Sequence, residues 1–405
     1  MQENIKKLIN LLPHLEDIEA ILLNENEAKY ILNKAIYVLH SNSLEIETVN
    51  DEFEEATFLV QALVDKCWER IHTGHFSEVP LEIRKIYALA NYIKILLLLI
   101  ENAEYRQIEK CSELLDDAIL IGCTQDIYPK CQQFKENLME IFDKELDPCK
   151  ELKLPIIENP ARQVINCDIL LLQHPSLLEF EQKCFSKLQP ALMLNTFNHW
   201  PALEKWRDLN YILKIAGNRT VPIEIGSNYT TDEWSQQLMK IKDFLKKQFT
   251  NNSGKDANDI EYLAQHELFE QIPQLKKDFF IPDYCTLGSN KDAVDIKAWL
   301  GPKGTISPLH YDPKHNLLCQ VFGSKSIILA SPEDTHYLYP HESEFLQNTS
   351  QIDANNLDVE KFPLVEKVKF YSLTLQPGDC LYMPPKWWHY VQSNSPSFSV
   401  SFWWQ

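Results

Sequence analysis

Three residues late in the chain have the types and spacing to hold a metal ion. Ser307-Pro308-Leu309-His310-Tyr311-Asp312 carries an imidazole and a carboxylate two residues apart, and Lys386-Trp387-Trp388-His389-Tyr390 carries a second imidazole. In a strand, positions i and i+2 face the same way, so His310 and Asp312 can reach one ion from one strand end. His389 is the candidate third ligand. Two imidazole nitrogens and one carboxylate on one face of an octahedron leave three positions open, the ligand set of non-haem Fe(II) oxygen chemistry. Those positions suit a bidentate 2-oxo acid and then dioxygen. The H-x-D pair alone is weak, because a turn aspartate beside a surface histidine reads the same way. Its companions carry the reading. Gly301-Pro302-Lys303-Gly304-Thr305 precedes it, Lys325 follows in a strand context, and His389 lies in a Pro384-Pro385-Lys386-Trp387-Trp388 turn after Pro377-Gly378-Asp379.

Other residues could serve the same centre. An ammonium at Lys325 can pair with the far carboxylate of a 2-oxo acid. Asn316 and Ser307 can hydrogen-bond a bound carboxylate. Each of the three, taken alone, is equally a turn or strand polar residue. His315, His336 and His341 read as surface or structural. Glu224 is the candidate to receive a basic substrate side chain, because a carboxylate accepts a guanidinium fork bidentately. Tyr229 and Trp234 would complete an aromatic and polar rim.

Such a centre needs a rigid frame, and the second half of the chain supplies strands. Segments 296–300, 316–322, 325–330, 370–375, 379–383 and 398–404 are short and rich in β-formers, with Gly323-Ser324 and Pro377-Gly378 as turn signals. Many short strands late in a chain argue for a double-sheet β-barrel of jelly-roll or cupin type. Upstream, the pattern gives a first strand over 164–172, a strand over 190–194, one helix over 203–216, a strand over 220–225 and a helix from 231 capped by Thr230 or Thr231. Residues 251–256 read as a polar loop. Residues 1 to about 145 carry apolar residues at three- and four-residue steps, as in Ile5-Leu8-Ile9-Leu12, and read as helical. One helix starts after Pro80 and runs to about 102; another covers 105–121, with Gly122 as its stop. Pro148, Pro155 and Pro160 mark the boundary between a helical domain, 1–150, and a second domain, 151–405.

The net charge is −19 over 405 residues. That disfavours direct binding of nucleic acid, which basic surfaces favour, and suits basic protein or peptide partners. Ten cysteines form no CxxC pair, so reduced thiols are expected rather than a zinc knuckle. Met1-Gln-Glu-Asn-Ile-Lys-Lys lacks the apolar core of a signal peptide. The longest apolar run, Ile95 to Ile100, is too short to span a bilayer, so no membrane partner is expected.

Four strings go further: Arg219-Thr220-Val221-Pro222-Ile223-Glu224-Ile225-Gly226, Ile281-Pro282-Asp283-Tyr284-Cys285, Gly304-Thr305-Ile306-Ser307-Pro308-Leu309-His310, and Ser397-Phe398-Ser399-Val400-Ser401-Phe402-Trp403-Trp404. Together they resemble the Jumonji-C (JmjC) hydroxylases over about 185–405. The resemblance implies an α+β multidomain protein: an all-α N-terminal domain for partner binding or shielding, then a double-stranded β-helix JmjC catalytic domain with flanking helices. It implies that His310, Asp312 and His389 are the iron triad. Tyr262, Ser307, Asn316 and Lys325 become the 2-oxoglutarate contacts, and Trp299 an aromatic lining the pocket. The implied cofactors are Fe(II) and 2-oxoglutarate, with dioxygen as cosubstrate. The implied activity is oxidation of a C–H bond. Arginine hydroxylation in protein substrates is the first expectation. Demethylation of N-methyl-lysine in histone tails is the second, which would make the protein a nuclear chromatin regulator, with the cytoplasm a further compartment. A non-catalytic scaffold is the third.

Overall fold

The computed structural model describes residues 1–22, 24–42, 50–73, 78–123, 126–146, 152–161, 168–226, 234–250, 260–289, 294–343 and 346–405. The chain divides into two compact units, Met1–Lys150 with Gly217–Val221, and Glu151–Ala216 with Pro222–Gln405.

The first unit is helical: α1 (Gln2–Ile9), α2 (Leu15–Ile21), α3 (Asn26–Asn42), α4 (Asp51–Ile71), α5 (Leu81–Glu101), α6 (Tyr105–Asp117) and α7 (Cys131–Glu145). The three- and four-residue apolar steps become buried stripes; α4 buries Phe53, Ala56, Val60, Leu63, Val64, Cys67 and Ile71. α5 buries residues on all sides from Ile86 to Leu99, so it is the centre around which the others pack. No helix among the described residues is long and apolar enough to cross a membrane. The expected helix over 105–121 ends earlier as an α-helix, at Asp117, and a π-turn covers Ala118–Gly122. Gly122 serves close packing: a Cβ there would lie 2.9 Å from the Ala88 Cβ of α5. Arg219 counts with this unit. Its guanidinium donates to Asp116 Oδ1 at 2.9 and 2.6 Å, both side chains being buried.

The strands are β1 (Leu170–Gln173), β2 (Ala191–Leu194), β3 (Thr220–Ile225), β4 (Ser235–Lys240), β5 (Glu261–His266), β6 (Asp295–Gly301), β7 (Ile306–Tyr311), β8 (His315–Phe322), β9 (Lys325–Ala330), β10 (Tyr371–Leu375), β11 (Cys380–Met383), β12 (Trp388–Ser393) and β13 (Ser397–Trp404). They form a nine-stranded sheet, β1-β2-β11-β8-β13-β6-β5-β3-β4, and a four-stranded sheet, β10-β9-β12-β7. β1 and β2 are parallel; the central pairs of both sheets are antiparallel. The alternation of each strand sends one set of side chains between the sheets. There Leu192, Leu318, Leu381 and Met383 from the large sheet meet Ile327, Leu329, Leu373, Leu375 and Val391 from the small one. The outer face of the small sheet packs Leu309, Trp388 and Tyr390 against Leu338, Ile352 and Phe362 of the long β9–β10 connection. The large sheet is backed by aromatics. Trp206 and Phe398 rings are 4.6 Å apart, and Asp278 receives the Trp206 indole N–H at 3.0 Å and the Tyr211 hydroxyl at 2.6 Å.

Three local expectations need correction. The helix expected from 231 is instead the edge strand β4, and the helix starts only at Ile241. Ser235 to Leu238 are exposed; so polar a run has no periodicity of its own, and the open edge beside β3 decides its conformation. The expected single helix over 203–216 is two, Ala202–Lys205 and Leu209–Ala216. Asp208 breaks it, because its carboxylate accepts the Asn210 N–H at 3.1 Å and so caps the second helix. The first strand is Leu170–Gln173. Residues 164–167 of the expected strand, the Thr230 and Thr231 caps and the 251–256 loop lie outside the described residues.

The turn from β8 into β9 fixes where Lys325 begins. Gly323 there has φ of +72°, and a Cβ would overlap the Pro396 carbonyl. Gly323→Ala should lower stability by about 1–3 kcal/mol, read as a lower denaturant midpoint at unchanged slope. An unchanged midpoint would mean that the turn relaxes without cost.

Candidate metal centre

β7 and β12 lie side by side in the small sheet, and their register pairs His310 directly with His389. The two ring centroids are 4.2 Å apart, with the planes tilted by 54°. Asp312 follows the end of β7, and its Oδ2 comes within 3.6 Å of His389 Nε2. The ligand atoms of His310, Asp312 and His389 all lie within 4.8 Å of one another. Both imidazoles are oriented by their own backbone. His310 Nδ1 contacts the Pro308 carbonyl at 2.7 Å, and His389 Nδ1 contacts that of Trp387 at 3.0 Å. A carbonyl only accepts, so each Nδ1 carries the proton and each Nε2 presents its lone pair to the shared space. Burial, with His310 beside it, holds His389 well below the usual histidine range and therefore neutral, the form that binds a metal. Asp312 Oδ2 is buried without a hydrogen-bond donor. Such an orphaned carboxylate oxygen opposite two nitrogen lone pairs is costly unless a cation joins them, so the donor set fits Fe(II).

The cavity above these atoms continues between the sheets to Lys325. Lys325 is 1% exposed and its Nζ donates to the Tyr262 hydroxyl at 3.1 Å. Burial alone pushes its pKa down to about 7. Among the described residues no ion pair is formed by this buried ammonium, and a carboxylate entering from the metal side would supply one. Asn316 contributes a second buried acceptor without a donor, Oδ1, to the same cavity. Ser307 and Trp299 also line it, and the Trp299 indole N–H donates to Ser401 Oγ at 2.7 Å, which holds the ring in place. The residues present thus fit a metal ion and a dicarboxylate in one cavity.

Ser307 and His310 face one cavity although they are three residues apart, which a regular strand forbids. The cause is a bulge. His389 to Val391 is two steps on β12 but spans three on β7, from His310 to Ser307. Pro308, which has no N–H to give a ladder, lies inside it.

Glu224 of β3 pairs in register with Tyr262 of β5 and so shares its face of the sheet. It is half-buried, and burial raises its pKa against the smaller opposing effect of a hydrogen bond from the Trp234 indole. The Trp234 N–H is buried. Neither Glu224 nor Trp234 lines the metal cavity itself. Tyr229 lies outside the described residues. Inspection of the sequence missed Met383, Val391, Ser401 and Trp403, which also line the cavity. Alternation along β13 was the available signal, since Ser401 and Trp403 share one face and Phe402 and Trp404 the other. His315 is structural: Nδ1 meets the Tyr382 hydroxyl at 2.8 Å and the ring stacks on Phe185 at 4.5 Å.

Comparison with known proteins agrees with this geometry. Residues 177–405 match a family described as a cupin-like domain. The Jumonji C domain-containing protein 5 of Drosophila melanogaster is 59% identical over the full length of both chains. Lysine-specific demethylase 8 of Danio rerio is 39% identical over 85% of this chain and 86% of its own. Lysine-specific demethylase JMJ30 of Arabidopsis thaliana is 46% identical over 53% of this chain and 49% of its own.

Lys325 gives binding a pH dependence. Its pKa is about 7 in the free protein, and a bound carboxylate raises it, so binding takes up a proton above that pH. Affinity for 2-oxoglutarate should be level just below pH 7 and fall up to about tenfold per pH unit above it. Titration by tryptophan fluorescence in Mn(II)-loaded protein reads this. Lys325→Met should weaken binding by at least about 30-fold, roughly 2 kcal/mol, and flatten the pH profile. A steep profile retained in that variant would assign the proton elsewhere.

Proposed function

Since this chain belongs to the cupin-like JmjC oxygenases, which use Fe(II) and 2-oxoglutarate, we propose that it hydroxylates arginine side chains in basic protein substrates. The observation that carries the reading is Glu224, a half-buried carboxylate beside Tyr262 whose pKa is raised by burial and which no cation in the described contacts offsets. A guanidinium would restore its charge through two parallel hydrogen bonds. The Trp234 indole, whose contact lowers the Glu224 pKa, would flank that ion.

Within this reading each residue has a task. His310, Asp312 and His389 would hold the metal, the Nδ1 protons of the two histidines being tied to backbone carbonyls so that the rings cannot turn. Lys325 with Tyr262 would hold a carboxylate of 2-oxoglutarate, and Asn316 and Ser307 would offer it polar contacts. Trp299, Leu318, Met383 and Val391 exclude water from the same cavity. When bound, Fe(II) with 2-oxoglutarate and dioxygen supplies the oxidant for a substrate C–H bond, with succinate and carbon dioxide as coproducts. The chain's net charge of −19 favours encounter with basic proteins. Such substrates argue for the nucleus, with the cytoplasm as a second compartment. A scaffold role leaves unexplained why three metal-binding groups and a buried lysine converge.

A second reading, N-methyl-lysine demethylation, is favoured by the names of two relatives, the lysine-specific demethylases of Danio rerio and Arabidopsis thaliana. An aromatic cage would recognise a methylated ammonium better than a carboxylate does, so Glu224 speaks for arginine.

Mass spectrometry of arginine and methyl-lysine peptides, incubated with Fe(II), 2-oxoglutarate and oxygen, separates the readings. We expect an arginine product heavier by one oxygen atom and absent with His310→Ala. Glu224→Ala should lower kcat/KM by about 100-fold, roughly 2.7 kcal/mol, with 2-oxoglutarate affinity unchanged. Loss of one methylene from methyl-lysine, with arginine untouched, would replace the first reading by the second.

A further inference from the structure

The second unit holds a cavity that the metal centre does not use. It opens where the parallel strands β1 and β2 end, and residues 280–284 close its other side; its volume is about 290 Å³. Register sets it apart from the metal. Ala191 of β2 stands level with Tyr382 of β11 and hence with Leu317 of β8, next to Asn316. β2 runs away from that level to Leu194, about 10 Å further on, and the groove begins beyond it at Thr196.

Its floor is aromatic, from the buried Phe197 and Trp200. Its rim carries Leu177, Phe280 and Ile281 at 39%, 59% and 45% exposure. Large apolar side chains left in water and gathered about one concavity mark a binding surface. The ionisable side chains of the lining, apart from Tyr284, are Asp283, His174 and His199. Among the described lining residues Asp283 is the sole carboxylate, and no Lys or Arg lines the groove. The Tyr284 hydroxyl is already committed to the Pro175 carbonyl at 2.5 Å. An incoming cation would therefore meet the Asp283 carboxylate and the exposed Phe280 ring at the rim.

We propose that this groove is a docking site for the substrate polypeptide, taking an apolar side chain with a neighbouring Lys or Arg, separate from the pocket that receives the reacting residue. The proposal rests on the reading of the substrate as a basic protein. It gives recognition two parts: the catalytic pocket selects the side chain, and the groove selects the protein that carries it.

Random short peptides displayed on phage, selected on the full-length protein, test it; recovered sequences are synthesised and titrated by calorimetry. Expected are sequences pairing an apolar residue with a nearby Lys or Arg. Their affinity should fall at least about tenfold in Ile281→Glu and in Asp283→Lys, both exposed positions where folding is not at stake, and hold in Glu224→Ala. Peptides that bind all these proteins alike, carry acidic residues instead, or lose binding only in Glu224→Ala would overturn it, as would recovery of no sequence above background. The arginine reading stands or falls on product mass, so the failure of either leaves the other distinguishable.

Discussion

The pairing of β12 against β7 is the constraint on which the metal centre depends. It sets His389 opposite His310 and carries Asp312 to within 3.6 Å of the same nitrogen. A strand's period of two makes this fragile, since a slip of one residue would turn His389 out and Trp388 in. The neighbours of His389 prevent the slip. Trp388 and Tyr390 are packed in the apolar cluster outside the small sheet, and Val391 belongs to the core between the sheets. The Trp388 indole N–H adds a hydrogen bond to Thr335 at 2.9 Å. Lys386, forced to φ of +67°, closes the approach by donating its backbone N–H to the Asp312 carbonyl at 2.8 Å. The two ligand-bearing segments are thereby joined at both ladder and turn.

The electrostatics follow from where that pairing lies. Between the sheets the surroundings are Leu, Ile, Met and Val, and polar groups placed there cannot borrow water. The orphaned oxygens of Asp312 and Asn316 and the depressed pKa of Lys325 are three expressions of one circumstance. Each group is uncomfortable alone and becomes satisfied when a cation and a dicarboxylate enter together. Preorganisation of this kind converts the cost of holding these groups into affinity for their ligands. The rest of the unit must be rigid enough to keep it, and the aromatic layer behind the large sheet, held by Asp278, serves that end.

The two acidic surfaces of the second unit would act on the substrate differently. Glu224 is half-buried beside Tyr262, so its attraction for a cation is short-ranged and geometric. Asp283 is exposed at the groove rim, where a charge is screened and contributes little by itself. The apolar contact with Phe280 and Ile281 must therefore carry most of any affinity there, with Asp283 selecting its sign.

Much of the centre was legible in the sequence because its chemistry is local. The H-x-D spacing, the strand context of Lys325 and the aromatic turn before His389 are properties of short segments, and the C-terminal strands stand close to where their patterns put them. The likeness to JmjC hydroxylases supplied Tyr262 and Trp299, which no local signal singles out. Other features were settled only by tertiary structure. The bulge that brings Ser307 round to face His310 depends on the register of β12. The strand at Ser235–Lys240 exists because a sheet edge is there to receive it. Trp403 joins the cavity because β13 pairs with β8 opposite Asn316. A sequence determines which side chains share a strand face; which faces meet is determined by pairing between strands far apart in the chain, and that is a property of the folded molecule.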